Sequence, residues 1–177
     1  MKQLVRSIDA LSRFCGKLAA LTVVVLAVLM LYDVVLRYAF NAPTTWGNDL
    51  NAFLMGGAFV MSIAYAMSTD SHVRVDLFYT ERTRHYLNYV DLIGLSLIIL
   101  PVVAWITWGL FGYLLEGLRT GERTGSGGWN PVVWPFRVVL VLGFAIFTIQ
   151  IFAEIVKRIA AISGRPIDSS ETGDHGV

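Results

Sequence analysis

The residues able to do chemistry are few, and they gather at the ends of apolar runs. Asp33 and Arg37 lie four apart at the end of the first run, acid first, the spacing at which an ion pair closes on one helix face. Trp46 and Asp49 follow just beyond the break at Asn41-Ala42-Pro43. His72, Arg74 and Asp76 alternate with valines after the second run. Gln150 and Glu154 share one face of the last run, with Arg158 one turn further on. These types and spacings suit ion pairing and contact with a partner chain rather than turnover. Haem ligation in a bundle needs paired histidines on facing helices, whereas His72, His85 and His175 all lie outside the apolar runs. The lone Cys15 cannot form an internal disulfide or a cysteine metal cluster. No nucleophile sits at a spacing that supplies it with a base, and no carboxylates cluster for a metal. No catalytic, cofactor or metal residue is therefore expected.

What positions these groups is a set of helices in lipid. Of 177 residues, 55% are hydrophobic and only 15% charged. Soluble domains have a similar apolar share but about a quarter of their residues charged, so the charge deficit points to a bilayer as solvent. The net charge of +1 and the lack of any long Lys/Arg block give no reason to expect nucleic acid as a partner. Apolar periodicity predicts an all-α membrane protein with four spans, at about 18–37, 49–69, 88–116 and 134–160, in one domain over residues 1–166. A polar tail, 167–177, follows. Before the first span, Leu4, Val5, Ile8, Leu11 and Phe14 recur at helical spacing among Lys2, Arg6, Asp9 and Arg13, an amphipathic segment suited to the interface. No small-x-small cleavage pattern follows that span, so it is expected to remain uncleaved.

Local signals refine the connections. Pro43 ends the first helix, and Thr44 or Thr45 is expected to cap the second, with Asp49 in its first turn. In the second span Ala58, Ser62 and Ala66, and likewise Ala52 and Gly56, repeat every four residues, a pattern that admits close helix approach. Pro101 is the expected kink site of the long third span. The connection rich in Gly121, Gly125, Gly127 and Gly128 lacks the Lys-Ser/Thr ending of a phosphate loop. Arg137, two residues past Pro135, is expected to snorkel outward. Glu154 fits either a pair with Arg158 on its own helix or a contact to a partner subunit. The His72–Asp76 alternation fits a solvated loop, a short extended segment or the approach to an interfacial helix.

Four spans put both termini on one side. Of the 14 Lys and Arg, that side then holds ten (Lys2, Arg6, Arg13, Lys17, Arg74, Arg82, Arg84, Lys157, Arg158 and Arg165), and the other holds Arg37, Arg119, Arg123 and Arg137. The positive-inside rule places both termini in the cytoplasm.

Two motifs in this frame resemble a known family. One is Arg37-Tyr38-x-Phe40-Asn41-x-Pro43-x-x-Trp46-x-x-Asp49-Leu50 after the first span; the other is His72-Val73-Arg74-Val75-Asp76 after the second. Gly121-Glu122, Asn130-Pro131 and Trp134-Pro135 add a weaker third. In order and placement they resemble the small, four-span DctQ-type membrane subunit of the TRAP (tripartite ATP-independent periplasmic) transporters, over about residues 10–160, departing from the pattern in the insert Gly125 to Gly128. The resemblance implies a non-catalytic inner-membrane subunit of a bacterial, sodium-coupled secondary transporter. It would scaffold a large elevator subunit and help dock a periplasmic substrate-binding protein, for uptake of an organic acid of carboxylate or sialic acid type. Substrate and sodium sites would then lie on the large subunit, with lipid as the remaining partner. Two other readings stay open on the residues alone: a small oligomeric transporter or channel lined by Asp33, Gln150 and Glu154, and a membrane anchor of a redox complex.

Overall fold

The computed structural model describes residues 2–69, 92–125 and 128–162, with the side chains of Lys2 and Ala161 left aside. His72, Arg74, Asp76, the start of the third span and the 167–177 tail lie outside the described residues. Four helices are long and apolar enough to cross a bilayer. They are α1 (Lys2–Ala39), α2 (Gly47–Ser68), α3 (Leu100–Thr120, continuing a π-helical segment Gly94–Ile99) and α4 (Trp134–Ile162). No strands are named among the described residues; a single antiparallel bridge joins Arg123 to Val132.

The amphipathic segment and the first span form one helix of 38 residues. No proline interrupts it, and the one glycine, Gly16, sits where a Cβ would collide with the Tyr65 ring of α2. At 1.5 Å per residue it is about 57 Å long, nearly twice the hydrocarbon thickness of a bilayer. It ends at Ala39, and two residues on Asn41, at φ 50°, turns the chain left-handed, a conformation asparagine tolerates. Ala42 N–H then donates back to Leu36 O at 3.1 Å, and Pro43 prevents continuation.

The expected threonine cap is not made. Trp46 occupies the cap position of α2 without a side-chain hydrogen bond. Thr44 is turned away to Asp33, as described below. The distortion expected at Pro101 appears one turn earlier. Through Gly94–Ile99 the helix widens to π geometry, and Leu100 N–H donates to Leu95 O, five residues back. This absorbs the donor that proline lacks and the bulk of its ring. Gly121, at φ 60°, caps α3 in the left-handed region, with its N–H on Gly117 O.

The core lies between α2, α3 and α4, where Ala64, Met67, Leu95, Val103, Phe147 and Ile151 are buried together. The close approach of α2 to α4 rests on Gly57 against Val139 and on Gly143 against Val60. Phe53 and Phe136 stack across it, centroids 5.0 Å apart. Of the expected small-residue pattern, Ala58 is buried and Gly56 faces Phe136, whereas Ala52 is exposed. Outside this core the surface is apolar: Leu97, Trp105 and Trp108 are each about three-quarters exposed.

Candidate functional site

Three polar clusters tie the helices together. The first is the corner between α1 and α2. Arg37 donates to Asp33 Oδ2 at 2.7 Å, the pair its spacing predicts. Asp33 Oδ1 accepts from Thr44 N–H at 3.0 Å and from the Thr44 hydroxyl. A side chain at position 47 would strike Thr44, so Gly47 lets the loop fold onto Asp33. Trp46 stacks on Tyr32 with centroids 6.4 Å apart. The corner thus brings Asp33, Arg37 and Trp46 together, while Asp49 is buried in the first turn of α2. An acid there faces the positive end of the helix dipole.

The second cluster joins α3 to α4 at the same end of the bundle, where Gly128 also lies against Thr45 of the corner. Here Arg137 departs from expectation. It does not snorkel outward but lies 1% exposed against α3. Its Nη1 donates to Tyr113 O at 2.9 Å, its Nη2 pairs with Glu122, and its guanidinium lies 3.4 Å above the Tyr113 ring. The reason is space: Gly117 leaves a slot that any Cβ would fill, and the guanidinium occupies it. Glu122 is held in place by a short pairing of the loop ends, Val133 N–H on Glu122 O at 3.0 Å and Thr124 N–H on Pro131 O at 3.1 Å.

The third cluster lies at the opposite end and joins α1 to α4. Ser12 donates to Gln150 Oε1 at 2.7 Å. Gln150 Nε2 donates to Asp9 Oδ1 at 2.8 Å. Lys157 bridges two carboxylates, donating to Asp9 Oδ1 at 2.9 Å and to Glu154 Oε1 at 2.6 Å. Asp9, Ser12, Gln150 and Glu154 are all buried. Gln150 therefore bonds to α1 of its own chain, and Glu154 is buried beside it against Lys157. Lys157 makes the ion pair between the helices, to Asp9, and a second pair to Glu154 on its own helix. Asp9, expected only on the polar side of the opening segment, and Ser12 were not expected at a contact between helices. They share a face with Val5, Gly16 and Ala19, the small and buried side of α1, a helical arithmetic that would have found them.

In each cluster an acid and a base are paired, and the bonds of the second and third clusters run between helices. Among the described residues no group of three His, Cys, Asp or Glu is placed to hold a metal.

The pattern that defines the DctQ component of the tripartite ATP-independent periplasmic transporters matches residues 26–161, well over half of the chain. The chain belongs to the DctQ family. Neither the curated proteins nor the solved structures contain a match. This DctQ chain is thus a small, multi-pass inner-membrane component of a tripartite transporter. The matched region begins within α1 and ends near the end of α4, so it holds the corner, the Arg137 cluster and the α4 half of the third cluster. The α1 half of that cluster, Asp9 and Ser12, precedes it.

Proposed function

We propose that this DctQ component is a non-catalytic stator: it packs beside the large membrane subunit, widens the body against which the transport domain moves, and helps receive the binding protein. The observation that supports this best is its inverted distribution of polarity. An apolar core of Ala64, Met67, Leu95, Val103, Phe147 and Ile151 closes the space between α2, α3 and α4. Asp9, Asp33, Arg137 and Lys157 each meet a charged partner within the chain. A solute crossing through this chain alone would meet a packed apolar plug, and moving charge through hydrocarbon without polar partners is costly. The outward faces are apolar and exposed, as lipid or a partner helix requires.

In this reading both termini are cytoplasmic, because ten of 14 cations fall on their side. The α1–α2 corner and the α3–α4 loop then face the periplasm, and their contact at Thr45 and Gly128 makes one surface of them. Exposed Arg37, Arg119 and Arg123 and the half-exposed Glu122 carry its charge. Such rim charges set on-rate and register for a protein that must dock and leave. The cargo would be an organic acid of carboxylate or sialic acid type, driven by sodium ions bound on the large subunit, with no cofactor on this chain. Uptake into proteoliposomes tests the proposal. The chain alone should transport nothing, and omitting it should abolish uptake by the large subunit with its binding protein. Uptake by this chain alone would overturn it.

A further inference from the structure

Residues 4–19 of α1 carry three faces of different character. Successive helical residues turn by about 100°, so Val5, Asp9, Ser12, Gly16 and Ala19 fall within about 80° of one another, and this is the face buried against α2 and α4. Leu4, Leu11, Phe14 and Leu18 fall within about 80° on a second face, and all four are exposed, Leu4 by 67% and Phe14 by 63%. Arg6, Arg13 and Lys17 fall within about 40° on a third face, also exposed. They form a row about 16 Å long, beside the apolar stripe.

The charge balance on this outer surface is one-sided. Asp9 is the only acid in the segment, and it is turned inward, 1% exposed and bound by Lys157 and Gln150. The buried clamp therefore does two things. It removes the one negative charge from the outer surface, and it fixes the rotation of α1 so that the basic row faces out. None of Arg6, Arg13 and Lys17 has an ion-pair partner among the described residues. The row of cations, beside an exposed apolar stripe, lies at the end of a helix far longer than the bilayer, where lipid headgroups begin.

We infer that the Arg6–Arg13–Lys17 row of α1 is a binding surface for the headgroups of anionic phospholipids, with Leu11, Phe14 and Leu18 on the neighbouring face against their acyl chains. The inference goes beyond the stator reading, needing only that α1 enters a membrane. Each cation near an anionic surface is worth about fivefold in affinity, and three together about a hundredfold.

The test uses the full chain in detergent, titrated with phosphatidylglycerol or phosphatidylcholine and read by native mass spectrometry. The wild type should prefer phosphatidylglycerol strongly. R6Q/R13Q/K17Q should lose that preference by about a hundredfold, and R119Q/R123Q, which removes charge at the other end, should keep it. Should the triple variant fold poorly by circular dichroism, R6Q, R13Q and K17Q singly should each lose about fivefold. Equal binding of the two lipids by the wild type, or unchanged preference in the charge-removed variants, overturns the proposal. So does competition by glycerol 3-phosphate at the concentration of the lipid, which would mark a free-phosphate site. If adding the large membrane subunit displaces the bound phosphatidylglycerol from the wild type, the row is a subunit contact and the proposal fails.

Discussion

Replacing Lys157 by Met is the most direct test of what holds α1 to α4. The ammonium group is the cation between two buried carboxylates, 2.9 Å from Asp9 Oδ1 and 2.6 Å from Glu154 Oε1. Asp9 is 1% exposed, so water cannot replace the lost partner. Removing one member of a buried pair costs about 3–5 kcal/mol, because the other charge is left uncompensated. Lys157 itself retains 13% exposure at the bundle end, which places the expected loss near the lower bound, about 3 kcal/mol. The deficit should be specific to charge. D9N/K157M leaves an amide oxygen at position 9 that still accepts from Gln150, and it should recover a substantial part of the loss. Reversible unfolding of the purified chain in mixed micelles, followed by circular dichroism against a rising mole fraction of denaturing detergent, measures both. A K157M variant within about 0.5 kcal/mol of wild type would refute the reasoning. So would a double variant less stable than K157M, since that would show the site to be packing rather than charge.

Two further outcomes follow from the geometry. Trp46→Ala or Arg37→Ala opens the α1–α2 corner and should weaken co-purification with the large subunit, or uptake by the whole system, more than deletion of residues 167–177; equal effects would show that the corner has been overvalued. Gly143→Leu places a side chain where Val60 already sits, and overpacking of this kind costs about 1–3 kcal/mol; the same unfolding assay should show that loss, and Leu142→Ile, at an exposed position beside it, should show almost none.

The spans were legible because a charge deficit and an uninterrupted apolar run are one-dimensional properties. The Asp33–Arg37 pair was legible for the same reason, since its partners are one helical turn apart. What failed was competition from a distance. Thr44 is a good helix cap by type, yet Asp33, 11 residues earlier, takes both its N–H and its hydroxyl. Arg137 looked free to reach outward, yet a slot over Gly117 and a π-face at Tyr113 lie on another helix. Asp9 looked like the polar side of an interfacial segment, and only the unbroken continuation of α1 brings it against Gln150 and Lys157. His72, Arg74 and Asp76 lie outside the described residues.

The position of α4 explains why the polar clusters sit where they do. This helix reaches α2 through Phe136, Val139 and Gly143, α3 through Arg137 and Thr148, and α1 through Gln150 and Lys157. Apolar packing alone does not fix its rotation, because in lipid a leucine gains little by facing protein rather than acyl chains. Hydrogen bonds and ion pairs do fix it, since a polar group turned toward hydrocarbon loses its partner and gains nothing in return. Arg137 keys the helix at one end, and Gln150 and Lys157 key it at the other. A rotation of α4 large enough to release one key also releases the other. The two ends of the bundle are therefore held in a common register.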